Sequence, residues 1–248
     1  MTGMDLKSGR EKKGWTQDQA ASKLGVSQPY LSLLEKGVRR VPEKLARKAM
    51  TAYGLSPATL PVETDGHAVQ SRNDDALASE LATLGYPGLS HLKARRKRNP
   101  AEVVLSALGN EELDTRLAEA LPWVLLEHPD LHWQWLVRAA KVNDLQNRLG
   151  FVTNVARRLG EKLGRNDTAK LLRDQESALE RSGLAREDTL CHDSLTQAER
   201  RWLRANRSEE ARHLELANGS FAGASESCPL NPFRTMAVFP LRHRCGRW

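Results

Sequence analysis

Apolar positions in the first sixty residues recur at helical spacing, and a glycine or a cap signal closes each group. Leu6 to Lys13 is a short helical stretch that Gly14 ends. Thr16 and Gln19 have the spacing of a capping box, and the helix they open carries Ala20, Ala21 and Leu24 on one face. Gly25-Val26-Ser27 predicts a turn. Glycine adopts the left-handed conformation that closes a helix, Val26 plugs the angle between two helices, and Ser27 caps the next. Pro29 falls in that helix's first turn, where its missing N–H costs little. Leu31 and Leu34, with Tyr30 beside them, supply its buried side, and Gly37 terminates it. A further helix runs from Pro42 to about Tyr53 with Leu45, Ala49 and Tyr53 at helical spacing; Gly54 caps it, and Ser56-Pro57 starts a last short turn with Leu60.

Residues 61–74 are mostly polar and lack a period, which marks a linker. Beyond them Leu77, Leu81 and Leu84 mark a helix over Asp74 to Leu84, broken by Tyr86-Pro87-Gly88. Glu102 to Leu108 reads as one more short helix after Pro100. Leu113, Leu117, Ala120 and Leu121 share a face; Trp123 to Leu126 follow as an apolar patch; His128-Pro129-Asp130 turns the chain; Leu131, Trp133, Trp135, Leu136, Val137 and Ala140 occupy the next helix. The longest stripe is Leu145, Leu149, Val152, Val155, Leu159 and Leu163, which demands a partner surface. Asn166 to Ser182 and Ser194 to Glu215 are thinner amphipathic stretches of the kind that pack on a surface or a dimer partner. The expected fold class is all-α: a head over 1–60, a linker over 61–74, a helical dimerisation, partner-binding or sensing region over 75–216 with a small bundle from about 75 to 163 closed within one chain or across two, and a largely disordered tail over 217–248.

Composition changes this picture little until charge is located. The 248 residues carry a formal charge of +7. Residues 1–60 hold +6 of it, 61–90 hold −4, and Lys93, Arg95, Arg96, Lys97 and Arg98 add +5 in one short run, so the remainder is balanced. A basic head on a neutral body points to a surface-binding module attached to something else. The run at 93–98 reads either as a DNA-contacting arm or as a solvated linker. No stretch approaches the roughly 18 apolar residues of a membrane helix, and the start lacks a signal-peptide apolar run. Three scattered cysteines, Cys191, Cys228 and Cys245, fit a reducing cytosol, so a cytoplasmic location is expected.

Two helices joined by a short glycine-bearing turn form the helix-turn-helix pattern. A helix fits the DNA major groove, where its exposed N-terminal side meets base edges. That side carries Gln28, Pro29, Ser32 and Leu33. Gln28 suits a bidentate contact with adenine N6 and N7, while Pro29 and Leu33 offer apolar contact with a thymine methyl. Gln17 starts the preceding helix, where free amides favour a phosphate.

The run from Thr16 to Gly37 resembles the helix-turn-helix domain of phage Cro and cI-type repressors, the XRE family, over residues 6–60. The resemblance implies a lambda-repressor-like head in which Gln17 clamps a phosphate, Gln28, Pro29 and Leu33 face bases, and Glu35 is a structural glutamate. Lys36, Arg39 and Arg40, with Tyr30, belong to the backbone-contacting set. Ala20 stands where a leucine is commoner, which thins the core. The expected partner is double-stranded DNA, bound by a homodimer on a palindromic operator as a sequence-specific regulator, a repressor in the simplest case. An antitoxin-like regulator whose body binds a toxin or other protein, and an adaptor tethered to DNA by its head, are the alternatives.

Other chemistry finds little support. His128 and His132 share a spacing of four, but Pro129 intervenes and no further ligands complete a metal set. Cys191-His192-Asp193 are adjacent, whereas a thiol triad must converge from separate directions. Trp123, Trp133 and Trp135 either line a ligand pocket or are core or interface residues. No catalytic residues, metal or cofactor are expected.

Overall fold

The computed structural model describes residues 1–62, 72–92, 96–185, 188–190, 196–198, 201 and 205. The readings of Ser194 to Glu215 as an amphipathic stretch, of Cys191-His192-Asp193 as no thiol triad and of 217–248 as a disordered tail fall almost entirely outside them. Among the described residues there are ten α-helices and no strand, and no helix is long and apolar enough to cross a membrane.

The head consists of α1 (Gly3–Lys12), α2 (Gln17–Leu24), α3 (Gln28–Glu35), α4 (Glu43–Tyr53) and a 3₁₀ turn at Pro57–Thr59. Their inward residues Leu6, Ala20, Ala21, Leu24, Leu31, Leu34, Leu45, Ala49 and Tyr53 form one apolar cluster. Ala20 is fully buried. The capping box forms as the spacing predicts: Gln19 N–H donates to Thr16 Oγ1 at 3.2 Å, and Thr16 N–H donates to Gln19 Oε1 at 2.9 Å. A second box, between Thr2 and Asp5, starts α1 earlier than its apolar pattern suggests. Gly25 closes α2 with φ +68°. One expectation fails: Ser27 makes no side-chain capping bond to α3. Pro29, without an N–H, removes one of the two amides such a cap would serve.

The body comprises α5 (Asp74–Leu84), a 3₁₀ turn at Pro87–Leu89, α6 (Pro100–Leu108), α7 (Thr115–Glu127), α8 (Trp133–Val142), α9 (Gln146–Lys162) and α10 (Asn166–Glu180). Helix α7 continues through Pro122. The core closes within one chain: α9 lies between α7 and α10, and α6 packs against α5, α7 and α8. Leu121, Leu125, Leu136, Leu149 and Phe151 are among its fully buried side chains. The stripe on α9 stops at Leu159, because Leu163 sits at the helix end and is half exposed. The thin stripe of α10 covers α9, with Ala169, Leu172 and Leu179 buried. Polar cross-links span the same interface: Glu176 accepts from Asn154 and Arg157 of α9.

Candidate nucleic-acid interface

Helix α3 presents opposite faces to core and solvent because its apolar residues lie three apart. Leu31 and Leu34 are fully buried, while Pro29 and Leu33 are exposed and Gln28, Tyr30 and Ser32 are half-buried. Lys36, Arg39 and Arg40 follow as an exposed basic segment, with the Arg39 guanidinium 5.8 Å from the Tyr30 ring centre. Gln17, in the first turn of α2, reaches the start of α3 through its bond with Gln28.

A hydrogen-bonded chain joins the surface to the interior. Arg10 of α1 donates through Nε to Glu35 Oε1 at 2.7 Å and through Nη2 to Oε2 at 3.0 Å. Its Nη1 reaches the Trp15 carbonyl at 3.0 Å. Gln17 Nε2 donates to Glu35 Oε2 at 2.9 Å, and Gln28 Nε2 donates to Gln17 Oε1 at 2.7 Å. The Glu35 carboxylate is 3% exposed, and these donors supply its partners in that desolvated place. The bond from Glu35 raises the Arg10 pKa above its ordinary value. Tyr53, packed edge-on to Trp15 at 5.7 Å, has its phenol pushed up to about 12 by burial and then by the Glu35 charge.

This chain fixes what Gln28 and Gln17 can offer. A primary amide has two donor hydrogens and an acceptor oxygen. Gln28 spends one hydrogen on Gln17, leaving the other hydrogen and Oε1, the pair that adenine N7 and N6 require. Gln17 likewise keeps one amide hydrogen beside the amides of the α2 N-terminus, which suits a phosphate oxygen. Sequence reasoning missed Arg10. Its signal was a carboxylate, Glu35, next in line to Leu34 on a face that must be buried.

The basic run behaves differently from the head residues. Arg98 is turned inward, with Nη1 3.0 Å from Glu80 Oε2 and Nε 3.4 Å from Glu102 Oε2. Arg96 Nη2 lies 3.0 Å from Glu43 Oε1 on α4, and the Lys97 carbonyl accepts from Arg47 Nη1. Lys93 and Arg95 lie outside the described residues.

The other candidates lie in the body. Trp133 is buried, with its indole N–H donating to the Pro129 carbonyl at 3.2 Å. Trp123 packs against Tyr86 and His128, and Trp135 lies against the core. Among the described residues no group of three or more His, Cys, Asp or Glu is placed to hold a metal.

Residues 6–60 match the family model described as Helix-turn-helix. No curated protein and no solved structure matches the chain.

Proposed function

Taking residues 6–60 as a Cro/cI-type helix-turn-helix DNA-binding segment of a transcriptional regulator, we propose that the protein reads a palindromic operator as a homodimer and represses by occlusion. The observation that carries this reading is the Arg10–Glu35–Gln17–Gln28 chain, which holds an amide with a free donor and acceptor at the exposed start of α3. Gln28, Pro29, Ser32 and Leu33 face the bases, and Gln17, Tyr30, Lys36, Arg39 and Arg40 approach the backbone. One α3-sized helix touches too few bases to be selective, so two copies read half-sites about 34 Å apart. The body, with its single closed core, supplies the pairing surface.

The test is footprinting of the purified protein on DNA upstream of its gene. Protection of an inverted repeat is expected, with Gln28→Ala weakening binding about tenfold to a hundredfold and relaxing selectivity at one base pair. Lys36→Ala weakens all sequences alike and lowers the salt slope by about one. Weak, salt-labile binding that ignores Gln28→Ala refutes the operator reading.

A further inference from the structure

We infer that Asn99 is a positioning residue: it clasps the head to the body, so that the body sets the spacing of the half-sites the protein accepts. The inference rests on the operator reading above and adds to it the element that fixes where each head points.

The polar linker pattern between head and body suggests two units on a tether. The structure joins them by a second route. Asn99 is 1% exposed. Its Nδ2 donates to the carbonyls of Ala58 at 3.0 Å and Leu60 at 2.7 Å, both in the last turn of the head. Its Oδ1 accepts from Ala101 N–H at 2.9 Å and so caps α6 of the body. One amide therefore uses both donor hydrogens on the head and its acceptor on the body. The adjoining residues alternate in the same way. Arg96 and the Lys97 carbonyl engage Glu43 and Arg47 of α4, while Arg98 engages Glu80 of α5 and Glu102 of α6. Residues 96–99 are thus held from both sides, and the carbonyls of the buried residues 58 and 60 both accept from Asn99.

A tethered head tolerates varied half-site spacing, because its second contact depends only on effective concentration. A clasped head does not. Inserting about 5 base pairs turns one half-site to the opposite face of the duplex, and simultaneous engagement fails.

Asn99→Asp separates the clasp from the fold. Aspartate caps a helix as well as asparagine does, so α6 keeps its cap, yet a carboxylate oxygen now meets two carbonyl acceptors. Arg96→Ala is a second, exposed variant that weakens the clasp without touching the core. The measurements are circular dichroism of each full-length variant, pulsed-EPR distances between spin labels at Ser22→Cys and Lys141→Cys in a background with the three native cysteines changed to serine, and affinity for operators with and without the insertion. The wild-type protein is expected to give a narrow distance distribution and to lose about a hundredfold or more in affinity on insertion; Asn99→Asp gives a broad distribution and loses less than about tenfold. Arg96→Ala falls between. A broad distribution in the wild-type protein, or the same distribution and spacing selectivity in a folded Asn99→Asp variant, overturns the inference. Narrow distances that broaden in Asn99→Asp, without any protected operator, leave the clasp standing and overturn the operator reading together with the spacing role.

Discussion

Breaking the Arg10–Glu35 pair from either side should cost unequal amounts, and the inequality follows from what each partner has left. Arg10→Met strands a carboxylate that is 3% exposed and retains only the Gln17 amide. Removing one member of a buried pair typically costs 3–5 kcal/mol, and the surviving Gln17 bond places this variant near the lower end, about 3 kcal/mol. Glu35→Met strands Arg10, which is 11% exposed and still holds the Trp15 carbonyl and lies 3.6 Å from Glu11. That variant should lose about 1.5 kcal/mol. The double variant leaves no buried charge and replaces the pair with apolar volume, so its cost should be about 1 kcal/mol. The double-mutant cycle then gives a coupling of about 3.5 kcal/mol. Amide hydrogen exchange of peptides from residues 1–60 is the appropriate assay, since it reports the head separately from the body. Costs that add, or an Arg10→Met penalty below about 1 kcal/mol, would show that the pair is solvated and that this reasoning is wrong.

Three further outcomes follow from packing, backbone geometry and titration. Leu121→Ala, at a fully buried position in α7, should cost about 3 kcal/mol by urea denaturation, whereas Val142→Ala, 61% exposed, should stay within about 0.5 kcal/mol; equal effects would refute the core assignment. Gly25→Ala should destabilise the head by about 1 kcal/mol, read by the same exchange assay, because φ is +68° there. Burial lowers the His128 pKa, and its Nε2 has no partner. The unfolded chain therefore takes up a proton near pH 6.5 that the folded chain resists, so the contribution is complete above that pH and is lost as pH falls toward the folded value. The thermal midpoint should drop between about pH 7.5 and about pH 5.5, and less in His128→Asn; an equal drop in both refutes the assignment.

Much of the head was legible because its signals are local. Thr16 with Gln19, Gly25, Gly37 and Gly54 each act within a few bonds of themselves, so spacing alone places the helix ends. Ser27 was misread for an equally local reason, the proline two residues on. Apolar spacing found the body helices, including Asp74–Leu84 at its observed bounds. It overran at Leu163, because a stripe on one helix does not reveal where its neighbour stops covering it. It also left open whether the bundle closed in one chain.

Charge was the least readable property. Lys, Arg and Glu announce their sign in the sequence but not the distance to their partners. Arg10 lies 25 residues from Glu35, Arg98 lies 18 from Glu80 and Arg96 lies 53 from Glu43. The sequence by itself determined the helical class, the turn geometry of the head and the face that α3 exposes, since these depend on backbone preferences and on periods shorter than one helix. Only the tertiary structure decided that Glu35 is held by Arg10, that Gln28 is oriented through Gln17, and that Asn99 bridges head and body. Each of those depends on side chains meeting across separate helices, where burial decides which polar groups must pair.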